Sequence, residues 1–244
     1  MDNVNMKNAG SSFYKHFSQG KSTDLGRFIV KSTAKKIFEF CKINKGASLL
    51  EIGPGRGAFA EVCHENGVKY TAIEASKDMS DSLNSRGFKV LYGKVPPLPK
   101  IEDRFDAVVM IHVMEHMDTM GQALELSQDV FNILKPDGKF VISSPDFVNW
   151  KYLFFPGDFS HNYVTSQKRL ESLLLSSGFE NTKSSYLSGP ISGLPCFLIS
   201  GIAARIQLQI LYAIFPKSNV IHKLLKIQAT FLRSILISGT KCSC

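Results

Sequence analysis

Apolar and polar positions along the chain change period several times. Short apolar runs, "SLLEI" (48–52), "VKYTAIE" (68–74), "FKVLY" (88–92), "FDAVVMIH" (105–112) and "KFVISSP" (139–145), read as buried strands. Before and between them lie segments with apolar residues three and four apart, at 25–42, 58–66, 76–86 and 120–135, which predict helices. Gly46, Gly67 and Gly87 follow helical runs at the position that favours a left-handed cap. Strands alternating with helices of this length predict an α/β fold, a doubly wound parallel sheet with helices on both faces. Ligands of such sheets lie beyond the carboxyl ends of the strands. Here those ends are Gly53–Gly57, Glu74, Gly93–Val95, His112–His116 and Ser143–Phe147.

The pattern changes again toward the C-terminus. "GPISGLPCFLISGIAARIQLQILYAIFP" (189–216) is strongly apolar but is interrupted by Arg205 and two glutamines, and its unbroken part is too short to span a bilayer. "NVIHKLLKIQATFLRSILIS" (219–238) reads as an amphipathic helix, with Val220, Leu224, Gln228 and Leu232 on one face and Lys223, Lys226 and Arg233 on the other. The expected division is a helical lid segment at 1–44, a ligand-binding domain at 45–188 and an apolar, basic helical extension at 189–244. Tyr14 and His16 in "FYKHF" are candidates to close over a ligand.

Charge sharpens the division. The net charge is +8, yet no Asp or Glu follows Glu180, whereas seven Lys or Arg do. The first 180 residues are close to neutral, which argues against a nucleic-acid groove across the main domain. A basic amphipathic helix beside an apolar segment suits the surface of an anionic membrane; closure of the core or a dimer contact is the alternative. The five cysteines show no metal-binding spacing, and with no secretory signal at the N-terminus they predict reduced thiols in a cytoplasmic protein, peripheral on the inner face of a membrane if the extension binds one. The terminal "KCSC" is either incidental or lipidated.

The chemistry centres on "EIGPGRG" (51–57). Glycine tolerates positive φ and lets a ligand approach the backbone, and the helix that follows offers free N–H groups. Glu74 ends the next strand, where a carboxylate can accept ribose hydroxyls. This describes an adenosine-containing cofactor. Gly53-Pro54-Gly55-Arg56-Gly57-Ala58 satisfies a nicotinamide fingerprint too, so a nicotinamide-dependent oxidoreductase stays open on the motif alone.

Further along the chain, "IEAS" with Glu74, "FDAVVMIHVMEHM" (105–117) and "LKPDGKFVISSP" (134–145) follow "EIGPGRG" in order. Together the four segments resemble the class I S-adenosylmethionine-dependent methyltransferase family over roughly residues 45–180. The resemblance implies S-adenosylmethionine as cofactor. It implies that Glu51, Gly53, Gly55 and Gly57 border its methionine part, that Glu74 and Ala75 hold the ribose, that Gly93, Lys94 and Val95 flank the adenine, and that His112 stands near the methyl donor. Many relatives carry Asp where this chain has Lys94, so the adenine contact there falls to backbone groups.

An oxygen acceptor needs a base that titrates near neutrality, and histidine suits this. The candidate catalytic residues are His112, His116 and His161, with Glu115 beside them; His116 has a structural reading as well, holding the loop after the fourth strand. No metal is expected. The expected activity is O-methylation of a small or lipid-linked acceptor, a glycan or polysaccharide intermediate, with a quinone or other lipid as an alternative acceptor. A methyltransferase-like scaffold without chemistry is the non-enzymatic alternative.

Overall fold

The computed structural model describes residues 23–158 and 160–243. Tyr14 and His16, and with them the first half of the expected lid, lie outside the described residues, as does Cys244. The chain runs α1 (Asp24–Cys41), β1 (Ser48–Ile52), α2 (Ala58–Glu65), β2 (Lys69–Glu74), α3 (Lys77–Ser85), β3 (Lys89–Tyr92) and β4 (Phe105–Ile111). A 3-10 turn at Met114–His116 leads to α4 (Met120–Ile133) and β5 (Leu134–Pro145). Two short helices, α5 (Phe147–Trp150) and α6 (Phe154–Gly157), precede α7 (Gln167–Ser176), β6 (Glu180–Ser188) and β7 (Ile191–Ser192). Then come α8 (Leu194–Ala203), α9 (Leu208–Ile214), α10 (Asn219–Phe231) and β8 (Arg233–Thr240).

Side-chain oxygens start many of these helices. Thr23, Ser76, Thr119, Ser166 and Ser218 each accept a backbone N–H from the first turn of the helix that follows. The strands order as β3-β2-β1-β4-β5-β8-β6-β7. Pairing is parallel from β3 to β5 and antiparallel where β8 joins β5 and β6. Alternate strand residues feed two core layers. Leu50, Ile52, Val108 and Met110 face one, and Leu49, Ala107 and Val109 the other. Strands covered on both faces need the near-continuous apolar runs seen in the sequence.

The C-terminal region departs from expectation. The segment 219–238, read as one amphipathic helix, is helical only to Phe231. From Arg233 it is a strand, with Ile235 and Ile237 in one core layer and Leu236 in the other. The last strand therefore belongs to the sheet, and what lies outside it is an insertion at residues 193–232. This insertion leaves and re-enters at one edge: Ser188 pairs with Arg233, and Pro145 with Ser234. That is the edge where β1, β4 and β5 end.

Side chains from both parties hold the insertion there. Trp150, Leu153 and Phe154 pack with Ala203 and Leu232. The Arg233 guanidinium binds Asp146 through Nε at 2.7 Å and Nη2 at 2.5 Å, and it lies over the ring of Tyr186. Gln228, the polar residue on the otherwise apolar face of α10, donates to the carbonyls of Ala203 (2.8 Å), the last residue of α8, and of Ile206 (2.7 Å), just beyond it. The buried amide of Gln228 is thereby satisfied and ties α10 to the chain leaving α8.

Candidate functional site

The loop between β1 and α2 lies at the point where strand order reverses, between β1 and β4. Gly53 has φ +76°, and a Cβ there would stand 2.5 Å from Val113 Cγ2, so the loop is pressed against the segment that follows β4. Gly55 has φ +52°, and a Cβ there would meet no atom within 4 Å. One glycine serves packing; the other leaves open space beside its backbone.

Glu74, at the end of β2, is buried and faces this loop. Its Oε2 accepts the Gly55 N–H at 3.1 Å and its Oε1 the Ser76 N–H at 2.7 Å. Burial pushes its pKa up, against the backbone N–H groups of Ser76, Gly55 and Ala75. A carboxylate accepts up to about four hydrogen bonds, so acceptor capacity remains for hydroxyl donors. An open glycine cradle beside such a carboxylate fits the adenosine-containing ligand expected from the sequence. Gly93 donates to the Glu74 carbonyl at 3.0 Å, which places the loop after β3 alongside. Lys94 is exposed and Val95 packs against the core.

Glu51 sits differently from the rest of its motif. Its carboxyl is fully enclosed and accepts the Tyr70 hydroxyl. Burial pushes its pKa up to about 8. The side chain is thus spent on the floor of the loop.

At the end of β4, His112 adopts φ +54°, an uncommon conformation for a residue with a side chain. Its N–H donates to the Ser143 carbonyl at 2.9 Å, and Nδ1 lies 3.1 Å from Glu115 Oε1. Half of the His112 side chain is exposed, whereas Glu115 is wholly buried. Burial pushes the Glu115 pKa up, but the His112 hydrogen bond and the charges of His112 and His116 outweigh it and hold the carboxyl below its ordinary range. Ser144 donates to Glu115 Oε2 at 2.8 Å.

His116 and His161 come together across two loops, with ring centroids 5.1 Å apart. The structure therefore joins the three histidines through Glu115 and this ring contact. Ser144, Ser160, Asp158 and Tyr70, which hold them and Glu51 in place, carry no signal in the sequence, since serine and aspartate at strand ends and turns, and tyrosine within a strand, are common everywhere. Asp146 caps α5 and also carries the buried pair with Arg233.

Residues 26–184 match a family model described as a methyltransferase domain. An uncharacterised protein of Methanocaldococcus jannaschii is 32% identical over 104 residues, 43% of this chain and 47% of that protein. The match thus spans about half the length of the curated relative. Among solved structures, phosphoethanolamine N-methyltransferase 2 of Haemonchus contortus with S-adenosyl-L-methionine aligns with TM-score 0.64 and 16% identity, over 95% of this chain and 60% of that one. A SAM-dependent methyltransferase from Archaeoglobus fulgidus aligns with TM-score 0.60 and 21% identity, over 93% and 98%. At these identities the structural likeness is one of fold.

Proposed function

We propose, from the premise that this chain belongs to the class I S-adenosylmethionine-dependent methyltransferases, whose domain model it matches over residues 26–184, that it methylates an oxygen of a small or lipid-linked acceptor presented at a membrane surface. The methyl donor is S-adenosylmethionine, and membership of this family sets aside the nicotinamide reading.

When bound, the cofactor supplies an activated sulfonium methyl group. The open backbone at Gly55 and the start of α2 would border its methionine part, Glu74 and Ala75 would hold the ribose hydroxyls, and Gly93 to Val95 would flank the adenine. The observation that carries an oxygen acceptor is the His112–Glu115 pair. Glu115 accepts from Nδ1, which fixes the tautomer and leaves Nε2 of the half-exposed ring to take a hydroxyl proton. Glu115 is held in turn by Ser144, so it positions the base and does not itself meet the acceptor.

A second observation supports acceptor delivery from a membrane. The insertion stands on the carboxyl edge of the sheet and bares Leu194, Leu198, Ile202, Ile210, Ile214 and Val220, each more than half exposed. The stretch Leu194–Ile214, 21 residues with mean hydropathy 1.6, is enough by length and composition to cross a bilayer, but it is broken between α8 and α9, and of its residues Cys196, Ser200 and Ala203 are the buried ones. Tyr152 and Phe155, in the short helical segment leading to His161, are also about half exposed. Arg205, Lys217, Lys223 and Lys226 flank this face and no acidic residue lies in it. Roughly 1 kcal/mol per partly buried apolar side chain and about 1 kcal/mol per basic residue near anionic lipid suit reversible docking in the membrane plane. A glycan or polysaccharide intermediate on a lipid carrier fits this geometry, as does a quinone-like lipid.

The test is twofold. Methyl transfer from the labelled donor to hydroxylated lipid acceptors is expected to fall by about 10²- to 10⁴-fold in His112→Ala. Sedimentation with anionic vesicles is expected for the wild type and is lost in Leu198→Glu/Ile202→Glu/Ile210→Glu, whose side chains are exposed and leave β8 intact. Donor binding without turnover on lipid and sugar hydroxyls would instead support a scaffold, and equal sedimentation of both proteins would overturn the docking surface.

A further inference from the structure

The pairing of His116 with His161 is not used by the chemistry above. Hydrogen bonds fix both rings. His161 Nδ1 lies 2.7 Å from the Phe154 carbonyl, which can only accept, so Nδ1 carries the proton. Ser160 Oγ donates to Asp158 Oδ1 at 2.6 Å and is left to accept from His116 Nδ1 at 2.9 Å. In the neutral imidazoles, Nε2 of each ring is then a lone-pair donor. Neither Nε2 makes a hydrogen bond among the described residues, and no buried side-chain nitrogen or oxygen there lacks a partner, so both reach solvent-accessible space. The Glu115 carboxylate completes the group: one donor atom from each of Glu115, His116 and His161 lies within 4.8 Å of the others.

We propose that Glu115, His116 and His161 bind one divalent ion of the zinc class, against the expectation of no metal. Two nitrogens and one carboxylate oxygen are the donor set such an ion takes, and three protein ligands leave a fourth position for a water or an oxygen ligand. Histidine ligands that give their other N–H to a carbonyl or a carboxylate-linked hydroxyl are already oriented for it, as both are here. Bonds of about 2.0–2.2 Å at tetrahedral angles set donor atoms about 3.3–3.6 Å apart, so the widest pair closes by up to roughly 1.5 Å, within reach of side-chain rotation. Mg2+ fits poorly, because it prefers six oxygens in octahedral geometry.

The experiment uses the full chain dialysed against chelator, titrated with Co2+ and read by visible absorption, with Zn2+ stoichiometry from equilibrium dialysis. One equivalent with the intense bands of a tetrahedral site is expected. His161→Ala and His116→Ala should each lose it, with folding checked by circular dichroism, while His64→Ala on the surface should not. Ser160→Ala should weaken Co2+ affinity by about 10- to 100-fold and Ser160→Thr should restore it. Absence of a stoichiometric ion, binding that survives in His161→Ala or His116→Ala, or preference for Mg2+ over Zn2+ would each overturn the assignment. None of these readouts depends on methyl transfer.

Discussion

Substituting Gly53 and Gly55 with alanine, one at a time, separates what packing needs from what a ligand needs. Both residues have positive φ, so each alanine carries a left-handed cost of about 1–2 kcal/mol. At Gly53 the new Cβ would also stand 2.5 Å from Val113 Cγ2. That overlap forces a shift worth about 1–3 kcal/mol more, for a total of roughly 2–5 kcal/mol. At Gly55 the Cβ enters open space, and the cost stops at the first contribution. For a chain of this size 1 kcal/mol is about 2–4 °C in melting temperature, so Gly55→Ala should lose roughly 2–8 °C and Gly53→Ala two to three times as much. Affinity reverses the order of interest. In the proposed site the methyl added at Gly55 would lie where the cofactor approaches the backbone, and one misplaced methyl is worth up to about 200-fold. Calorimetric titration of Gly55→Ala with S-adenosylhomocysteine should show a loss on the order of 100-fold in a protein that remains folded. Unchanged affinity would place the cofactor elsewhere, and equal destabilisation by the two substitutions would refute the packing argument.

Two further outcomes follow from buried charge. Glu51 has a folded pKa of about 8 against an ordinary value of 4.5, so the folded state holds a proton that the unfolded state releases. Its contribution is complete below about pH 4.5 and is lost as pH rises toward 8, with a slope of up to about 1.4 kcal/mol per pH unit; denaturant melts of Glu51→Gln across this window should lack that slope, and an identical slope would reject the assignment. Asp146→Asn should cost about 3–5 kcal/mol by leaving the Arg233 guanidinium without its carboxylate, and the pair Asp146→Leu/Arg233→Met should recover most of it in the same melts; a single-variant loss below 1 kcal/mol would show that the pair is not strongly coupled.

The parts of the fold that could be read from the chain are those where period and punctuation agree. "SLLEI" and "FDAVVMI" are unbroken apolar runs, and each proves to be a strand covered on both faces. The glycines and Glu74 mark strand ends that the sheet brings together. The segment 219–238 was illegible because two periods overlap in it. Leu232, Ile235 and Leu236 continue the spacing of α10, while Ile235 and Ile237 alternate as a strand requires. Only the open place between β5 and β6 decides between them. The tertiary partners of the site were equally silent: nothing in "SSPD" or "GDFSHN" announces that Ser144 meets Glu115 or that Ser160 orients His116.

Because β8 is synthesised after every other strand, a growing chain leaves β5 and β6 with bare hydrogen-bonding edges until the insertion has been made. The apolar helices of that insertion emerge during this interval, beside edges that can pair with a neighbouring chain. Maturation of this enzyme therefore passes through a stage prone to self-association, and a fusion or stalling sequence placed soon after Thr240 would prolong it.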